Sequence, residues 1–538
     1  MSRVGLAAMV ALAASFYAAE ISTAQQQTGI AVASAPRLEF SASEMALAQA
    51  AAGNADLASF YGGNGLSPLF SGEDGDRYRE AVLAAVSTAP SHGLPTSRYT
   101  PDQLATKAQN ADAEIRQALI LWRYMNDMTG GVLRPSSVSN EIKRQVTRPR
   151  LDMLMQDFAA SPDPARFLID LQPHHPAYLA LQRALNGGDR LVVPANLPRA
   201  PEAVWRIGVR GEGVVPLRAR LESIGFTAPA GDPALYDEAL SRAVADYQAA
   251  VGLPNDGVAG PNTIRHLNGD IADDRRNRAI LMSLERMRWL ASEDLTARHV
   301  WVNIPEYTAR IIDNGHEVFQ TRTVVGKTGP DYETPEFSDQ MEYVVVNPRW
   351  NVPRSMTVRD YLPKLQANRN AVGHLEVVDG AGNVIPRSRI DFSRYNASNF
   401  PYRLRQQPSD DNALGLVKFI FPNPWNIYLH DTPTKHLFQN RARANSNGCI
   451  RIGDPFDLAY QLLSQQTDNP QAMFQRALDS GREQWLALTP NVPVHLVYFT
   501  AFPDESGQIR MFEDVYGRDA VLWQAMQDAG LDLAALNH

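Results

Sequence analysis

Cys449 is the only cysteine among the 538 residues, and its surroundings suggest reactivity rather than a structural role. It lies in the segment 445–451, Asn-Ser-Asn-Gly-Cys-Ile-Arg, nineteen positions after His430. A lone cysteine forms no intramolecular disulfide, and a thiol with a pKa of ~8.5 is only slightly ionised near neutral pH. A catalytic cysteine therefore needs a neighbouring base or cation, for which His430 is the best candidate. The pattern predicts a cysteine nucleophile assisted by a histidine.

Two local elements must bring these residues together. His430 ends the strand-like run 426–429, so its side chain would project from a rigid edge toward the loop that follows. The segment 431–446 is long enough to return and place Cys449 beside it. Gly448 and its small neighbours form a turn in which backbone N–H groups would converge near the sulfur and bind a developing oxyanion.

A β-rich region surrounds these elements. Short β-branched and aromatic runs, broken by turn residues, predict strands at 300–304, 309–312, 322–325, 342–346, 417–421 and 426–430. A long stretch from about 350 to 412 separates two of these strands. Stretches of that length inside a compact domain are usually a lid or a subdomain.

The first part of the chain has helical periodicity instead. Ile115, Leu119, Trp122 and Met125 recur at a spacing of three to four residues and predict an amphipathic helix that ends at Gly130-Gly131. The segment 187–201 is rich in proline and glycine, which is typical of a linker. We expect a helical scaffold over residues 40–205.

A compact unit at 206–270 follows the scaffold. Its hydrophobic spacing predicts three short helices, and it resembles the peptidoglycan-binding domain 1 family. That resemblance rests on the order Ala243-Val244, Tyr247-Gln248, Gly252-Leu253, Asp256-Gly257, Gly260-Pro261, Thr263-Ile264 and Leu267-Asn268. It implies a three-helix module that docks on the cell-wall polymer. The alternative is a helical bundle that serves only as a spacer.

The β-rich region resembles the L,D-transpeptidase (YkuD-like) catalytic domain. The resemblance rests on the segment Tyr428 to Pro433, followed by Ser446 to Arg451. It is supported by Val325-Gly326-Lys327, by Thr334 to Phe337 and by Tyr343 to Pro353. The large periplasmic members, with an N-terminal scaffold, an inserted wall-binding module and a long capping subdomain, are the most similar. The resemblance implies a multidomain α+β protein whose β-rich catalytic domain carries the capping subdomain.

The resemblance implies cysteine acyl transfer on peptidoglycan stem peptides. In this family the thiolate attacks the carbonyl of the third stem residue, a diamino acid, and releases the terminal D-alanine. The side-chain amine of a second stem then attacks the thioester and forms a 3→3 cross-link. Carried over to this sequence, Cys449 is the nucleophile and His430 the general base and later acid. Asp431 orients His430 through its backbone carbonyl, no cofactor or metal is required, and carbapenems are expected to acylate the cysteine.

The residues beside the cysteine have expected supporting roles. Asn447 and Gly448 would form the oxyanion turn. Many family members carry histidine at the position of Asn447, and because asparagine does not titrate, His430 remains the only titrating partner. Arg451 would brace this loop or face substrate carboxylates.

Other candidate residues have two interpretations each. Trp425 and Tyr428 either line the substrate cleft or pack in the core. His436 fits no standard metal-ligand spacing, so we expect a surface histidine. The arginines of the capping stretch either hold stem-peptide carboxylates or form a solvated basic face; they are Arg387, Arg389, Arg394, Arg403 and Arg405, with Asp391 as the accompanying acid.

Competing functions remain open at this point. An L,D-carboxypeptidase would use the same residues, with water replacing the acceptor amine. A wall-binding protein with a vestigial cysteine is a further alternative, although the intact pair of Cys449 and His430 argues against it. The chain contains no Ser-x-x-Lys motif, which disfavours a serine penicillin-binding enzyme. A net charge of −8 disfavours a nucleic-acid binder.

The N-terminus reads as an export signal. Arg3 precedes the apolar run 4–19, and small residues at 22–24 form a cleavage site, so we predict a signal peptide at 1–24 and a tether at 25–39. An uncleaved anchor is the alternative, and either leads to a periplasmic protein. Nothing in the sequence requires more than a monomer. The remaining expected boundaries are a helix at 271–298, the catalytic domain at 299–500 with its capping subdomain at 351–412, and a C-terminal extension at 501–538.

Overall fold

The computed structural model describes residues 40–187, 191, 193–270 and 274–532. The predicted signal peptide and tether lie outside these residues. Within the described ranges, none of the helices is both long enough and apolar enough to cross a membrane.

Within the described residues, eight α-helices form the N-terminal scaffold. The first seven, apart from the short fifth helix, contribute to one apolar cluster, and the eighth packs in a second cluster together with the β-rich region. The longest has a side-chain cap from Asn110 at its start and ends where Gly131 adopts a φ of 81°, which glycine tolerates without strain. The helix that the sequence predicted over this stretch is therefore confirmed, together with its stop. The helices are α1 (Ala42–Ala51), α2 (Ala55–Gly63), α3 (Gly75–Ser87), α4 (Ala111–Gly130), α5 (Pro135–Val138), α6 (Leu151–Ala160), α7 (Pro164–Ile169) and α8 (Pro176–Leu185).

Three helices with a separate core form the next unit: α9 (Val214–Ser223), α10 (Glu238–Ala250) and α11 (Pro261–Leu267). The carboxylate of Asp237 caps α10, and Pro261 begins α11 at a position where a missing N–H costs nothing. The Gln248 amide ties the loop between these helices, because it donates to Val258 and Thr263 at 3.0 Å and accepts from Gly257 at 3.0 Å. The predicted three-helix unit is confirmed.

A central helix, α12 (Asp274–Trp289), connects the scaffold to the rest of the molecule. It packs on α8 and α4, and its side chains are buried without interruption from residue 279 to 290. Charged residues in such a position need partners, and Arg288 forms a fully buried ion pair with Glu285 at 2.8 Å. The sequence predicted a helix here but gave no indication that it is buried on all sides.

The β-rich region is a nine-stranded sheet. Its strands are β1 (His299–Asn303), β2 (Thr308–Asp313), β3 (His316–Gly326), β4 (Phe337–Val346), β8 (Val417–Ile420), β9 (Leu429–His430), β10 (Ala444–Ser446), β11 (Ile450–Ile452) and β12 (Gln484–Val497). Their order in the sheet is β10-β3-β11-β9-β8-β4-β12-β1-β2. The sheet closes on itself because β3 pairs with β2 through its first half and with β11 through its second. Helices α15 (Pro455–Leu463) and α16 (Pro470–Asp479) pack against the core of this sheet.

The stretch between β4 and β8 is a subdomain with a core of its own. It contains a three-stranded sheet of β5 (Trp350–Asn351), β7 (Arg403–Gln406) and β6 (Glu376–Val378), in that order. The helical segment α13 (Arg354–Met356), a π-helical turn at Thr357–Tyr361 and α14 (Leu362–Ala367) precede β6. Of the two expectations for this stretch, a structured subdomain is the one observed.

The C-terminal segment returns to the scaffold. A hairpin of β13 (Ala501–Pro503) and β14 (Ile509–Met511) packs on α8 and α12, and α17 (Arg518–Asp528) also packs on α12. The described part of the predicted C-terminal extension, residues 501–532, therefore packs in part around α12.

Candidate active site

Three adjacent strands place the chemically active residues in one row. Lys418 of β8 pairs with His430 of β9, which in turn pairs with Arg451 of β11. Leu429 and Ile450 are fully buried in the core of the sheet. Because strand residues alternate between faces, His430, Arg451 and Cys449 lie on the opposite face from that core. The pairing of β9 with β11 thus brings together the two residues that the sequence predicted to cooperate.

The turn between β10 and β11 presents the thiol. Gly448 has a φ of 116°, a conformation that side chains with a Cβ rarely adopt. The Ser446 hydroxyl accepts a hydrogen bond from the Gly448 N–H at 3.1 Å and donates one to the carbonyl of Cys449 at 2.5 Å. Among the described residues the backbone N–H of Cys449 has no partner. This N–H is therefore free for a ligand, whereas that of Gly448 is engaged.

A second segment of the chain clamps this turn. The hydroxyl of Thr334 donates to the carbonyl of Gly448 at 2.7 Å and accepts from the Gly326 N–H at 2.9 Å. Arg518 of α17 holds the clamp, since its guanidinium donates to the Thr334 carbonyl at 2.8 Å and lies 3.2 Å from the carboxylate of Glu336. The C-terminal helix therefore braces the cysteine turn through one intermediate residue.

The protonation state of His430 follows from its surroundings. Nδ1 is hydrogen bonded to the backbone carbonyl of Asp431. A carbonyl oxygen only accepts, so Nδ1 carries the proton and Nε2 of the neutral ring is unprotonated. Burial lowers the pKa of His430 to about 3, and the positive charges of Arg451, Lys418 and Lys435 act in the same direction. The ring is a neutral base in the free protein.

Cys449 is protonated in the free protein as well. Burial raises the pKa of its thiol to about 11, while hydrogen bonding from Tyr428 and the charges of Lys418 and Arg451 oppose that effect. The sulfur lies 3.5 Å from the carbonyl oxygen of Asn426, an acceptor for the thiol hydrogen. These pKa shifts favour a resting pair of thiol and imidazole over one of thiolate and imidazolium.

The Asp431 carboxylate has structural partners. It accepts from the backbone N–H groups of Leu416 at 2.9 Å and Thr432 at 2.6 Å, and it pairs with Lys435 at 2.5 Å. The hydrogen bond to His430 comes from its backbone carbonyl instead. The contact with His430 is thus made by the Asp431 backbone, and the carboxylate is engaged elsewhere.

Arg451 donates to the hydroxyl of Thr434 at 3.1 Å, which ties β11 to the loop after His430. Its Nε atom is buried and has no hydrogen-bond partner among the described residues. The guanidinium therefore braces the loop through Nη1, while its Nε–H has no acceptor among the described residues.

The capping subdomain contacts the cysteine turn directly. The Asn447 amide donates to the sulfur of Met356 at 3.8 Å. Two cations approach the Tyr332 ring, with Lys327 Nζ 3.7 Å and Arg359 Cζ 4.7 Å from its centroid. Met356 of the subdomain thus contacts the cysteine turn, and Arg359 contacts the segment that precedes Thr334.

The two aromatic candidates take different places. Tyr428 lies beside His430, with ring centroids 5.7 Å apart, and hydrogen bonds with Cys449. Trp425 is 37% exposed and packs its ring on Phe337 with centroids 4.7 Å apart. Tyr428 therefore belongs to the site itself, and Trp425 lies on the surface next to it.

Most capping-subdomain arginines with defined contacts serve the subdomain. Arg387 donates to the backbone carbonyls of Val372 and Leu375, at 2.8 and 2.6 Å. Arg405 pairs with Glu376 at 2.8 Å, an acid that the sequence interpretation overlooked. Arg394 pairs with Asp391 at 3.0 Å. Three of the five arginines that the sequence suggested for carboxylate binding are thus engaged in contacts within the subdomain.

His436 is exposed, as predicted. In the described part of the chain, no group of three or more histidine, cysteine, aspartate or glutamate side chains could hold a metal ion.

Sequence reasoning missed Lys418, Thr334 and Arg518. Lys418 is separated from the motif residues and enters the row only through strand register. Thr334 lies in a segment that carried the family resemblance, but its hydroxyl role depends on contact with Gly448, 114 residues later. No local signal in the sequence marks such long-range partners.

Three family models match separate parts of the chain. Residues 297–477 match the L,D-transpeptidase catalytic domain (YkuD), residues 55–185 the scaffold domain, and residues 210–267 the "Putative peptidoglycan binding domain". A Haemophilus influenzae protein named "Putative L,D-transpeptidase" is 35% identical over 222 residues, which cover 41% of this chain and 44% of that protein. The match thus spans less than half of the length of this relative.

A solved structure of an L,D-transpeptidase from Xylanimonas cellulosilytica is also similar. It is 15% identical, with 56% of this chain and 99% of that chain covered. The TM-score is 0.16, too low for a structural argument.

Proposed function

Because the chain carries an L,D-transpeptidase catalytic domain of the YkuD family at residues 297–477, we propose that it cross-links peptidoglycan stem peptides through a thioester on Cys449. The observation that supports this most strongly is the row formed by His430 and Arg451 on paired strands, with Cys449 on the same face. This row supplies a nucleophile, a neutral base and a cation within one rigid sheet.

Acylation begins with proton transfer from sulfur to nitrogen. As Sγ of Cys449 attacks the carbonyl of the third stem residue, the thiol proton passes to Nε2 of His430, the unprotonated nitrogen. Lys418 and Arg451 favour the negative charge that develops on sulfur. Since the pKa values of about 11 and about 3 keep the proton on sulfur at rest, transfer accompanies attack rather than preceding it.

Collapse of the tetrahedral intermediate breaks the C–N bond to the terminal D-alanine. The imidazolium gives its proton to that amine as it leaves, so His430 returns to the neutral state and a thioester remains on Cys449. The carbonyl of Asp431 keeps the ring oriented throughout by accepting from Nδ1. This hydrogen bond also stabilises the imidazolium that forms transiently.

The developing oxyanion needs donors at the cysteine turn. The free N–H of Cys449 is one such donor, and the amide of Asn447 is a second if it leaves Met356. Gly448 contributes the backbone conformation that orients this turn. We therefore retain Asn447 and Gly448 in the oxyanion loop and add the backbone N–H of Cys449.

An amine completes the reaction. The side-chain amine of a second stem attacks the thioester carbonyl, loses its proton to Nε2, and displaces the sulfur, which recovers a proton from the imidazolium. The product is a 3→3 cross-link. If water took the place of the amine, the same residues would perform L,D-carboxypeptidase hydrolysis.

The substrate sets the expected location and partners. Peptidoglycan lies outside the cytoplasmic membrane, so we expect a periplasmic protein, exported by the signal predicted at 1–24. The module at 210–267 would hold the polymer near the active site. We expect the protein to act as a monomer and to be acylated by carbapenems.

The test is incubation of the purified protein with disaccharide tetrapeptides, followed by mass spectrometry of the products. We expect dimers linked 3→3 together with free D-alanine. Tripeptide monomers alone would assign hydrolysis instead, and the absence of any product would contradict the proposal. The Cys449→Ala variant is the matched control, and activity in that variant would contradict the role of the thiol.

A further inference from the structure

A cavity of about 810 Å³ lies between the scaffold and the catalytic domain. The scaffold segment 132–151 forms most of its wall, with Trp122 and Asn126 of α4, and Trp425 contributes from the catalytic domain. Ligand pockets commonly have volumes of about 300–1,000 Å³, so the space suits a short peptide. None of the steps proposed above uses it.

The cavity wall is strongly basic. Arg134, Lys143 and Arg148 line it, and among the described residues the side chains of Arg134 and Lys143 have neither an ion pair nor a hydrogen bond. Among the described residues that line the wall, Asp56 is the one acid, and its carboxylate accepts from the Trp122 indole at 2.8 Å.

Arg144 and Arg150 also line the wall, but Arg144 donates to Ser338 and Leu496, and Arg150 pairs with Asp152. Within the described residues, Arg134 and Lys143 are therefore the wall cations whose side chains have no partner.

Arg134 and Arg148 lie close enough for the charge of one to act on the other. Burial lowers the pKa of the Arg148 guanidinium, and the charge of Arg134 lowers it further, against the opposing effect of Glu285 and Asp127. Arg148 is held by the backbone carbonyls of Asn126, at 2.7 Å, and Gly131, at 3.0 Å. Like charges gathered in a concave wall create a potential that attracts an anion.

Two wall residues are adjacent in the chain, or hydrogen bonded, to segments near the active site. Trp425 precedes Asn426, whose carbonyl oxygen lies 3.5 Å from Sγ of Cys449. On the scaffold side, Lys143 donates its backbone N–H at 2.9 Å to the carbonyl of Glu336, two residues after the clamp residue Thr334. A ligand in this space would therefore lie next to the segments that hold the thiol.

We propose that this cavity binds a second stem peptide, the acceptor. The carboxylates of that peptide would form ion pairs with Arg134 and Lys143. The inference rests on the proposed function, because that reaction requires a second peptide that carries both free carboxylates and an attacking amine. Arg148 supports the charge of the wall, and Trp425 offers a partly exposed apolar face for the peptide backbone. The scaffold would thus contribute to substrate recognition as well as to the frame of the molecule.

Binding at this cavity can be measured without turnover. The Cys449→Ala variant has no cysteine, so Ser136→Cys in the full-length Cys449→Ala chain accepts one environment-sensitive fluorophore at the cavity wall. Gln145→Cys provides a second, independent labelling position, because both residues are exposed and line the cavity. The probe is a disaccharide tetrapeptide at low ionic strength, compared with the same peptide with amidated carboxylates.

We expect a saturable fluorescence change with the tetrapeptide and binding at least tenfold weaker with the amidated form. The double variant Arg134→Gln, Lys143→Gln should raise Kd at least fivefold. The matched control, Lys107→Gln with Arg116→Gln, removes the same charges from exposed scaffold positions outside the cavity and should change Kd less than twofold. Any one of three results would overturn the inference. These are no saturable response at either label, equal binding of the amidated peptide, and equal effects of the two double variants on Kd. Failure of the proposed function is separate, because it would leave the wild type without product whatever the cavity binds.

Discussion

The Nδ1 atom of His430 is hydrogen bonded to the backbone carbonyl oxygen of Asp431, the residue that follows it. This contact fixes the tautomer and leaves Nε2 as the nitrogen that receives a proton. A His-Asp sequence suggests that the aspartate carboxylate orients the histidine. Here the backbone carbonyl of Asp431 has that role, and the carboxylate binds Leu416, Thr432 and Lys435 instead.

The first prediction follows from this separation. Asp431→Asn keeps the backbone carbonyl and should retain kcat within tenfold of the wild type, whereas an aspartate of a catalytic triad contributes about 10⁴. His430→Gln removes the base and should lower kcat by at least ~10³. The measurement is the rate of stem-peptide acylation. A loss of about 10⁴ in Asp431→Asn, with an unchanged melting temperature, would assign the carboxylate to the mechanism and refute the tautomer argument.

The second prediction concerns the reactivity of the free thiol. Because burial raises the pKa of Cys449 to about 11, its alkylation by iodoacetamide should accelerate about tenfold per pH unit from pH 7 toward pH 10. A thiolate–imidazolium pair would instead react at a constant rate through the neutral range. The experiment uses intact mass to follow alkylation, with Cys449→Ala as the blank. A plateau between pH 6 and pH 8 would contradict the neutral resting pair.

The third prediction concerns stability in acid. The pKa of His430 is about 3 in the folded protein and near 6.5 when unfolded, so the unfolded chain binds the proton more tightly. The neutral ring therefore contributes stability above pH 6.5 that is lost as pH falls toward 3. By pH 5 the loss from this residue should be about 2 kcal/mol.

Urea unfolding at pH 7 and pH 5 measures this contribution when wild type and His430→Gln are compared. The variant should lose about 2 kcal/mol less between the two pH values, since the remaining buried histidines are common to both proteins. An equal loss in both proteins would show that His430 is protonated at a higher pH than its surroundings indicate.

The fourth prediction addresses the clamp on the cysteine turn. Thr334→Val keeps the shape of the side chain but removes the hydrogen bond to the Gly448 carbonyl and leaves the Gly326 N–H unpaired. A small displacement of a nucleophile costs up to about 10²-fold in rate, so kcat should fall 10- to 100-fold. Thr334→Ser, which retains the hydroxyl, should recover most of the activity. Equal rates in Thr334→Val and the wild type would show that the Thr334 hydrogen bond is not needed to position Cys449.

Much of this architecture could be anticipated from local patterns. The scaffold helix with Ile115 and Met125 is confirmed because its 3.6-residue period and glycine stop are local features. The strand at His430 and the turn at Gly448 were likewise recognisable, and both lie beside the thiol. The helix, the strand and the turn each depend on residues that are close in the sequence, so local patterns were sufficient to predict them.

The remaining features depend on contacts between distant segments. Lys418 joins the active row through the register of β8 on β9, and Arg518 reaches Thr334 across 184 residues. The surroundings of α12 were equally hidden, because charged residues such as Glu285 and Arg288 look like a solvated face until their ion pair is seen in the core. Only tertiary structure decides which charges are buried.

The most direct test of the central claim, that Cys449 is the acylated nucleophile, is intact-mass spectrometry after incubation with a carbapenem. We expect one covalent adduct on the wild type, located by peptide mapping on the fragment that contains Cys449, and none on Cys449→Ala. A wild-type protein without an adduct, or an adduct of the same mass on Cys449→Ala, would contradict it.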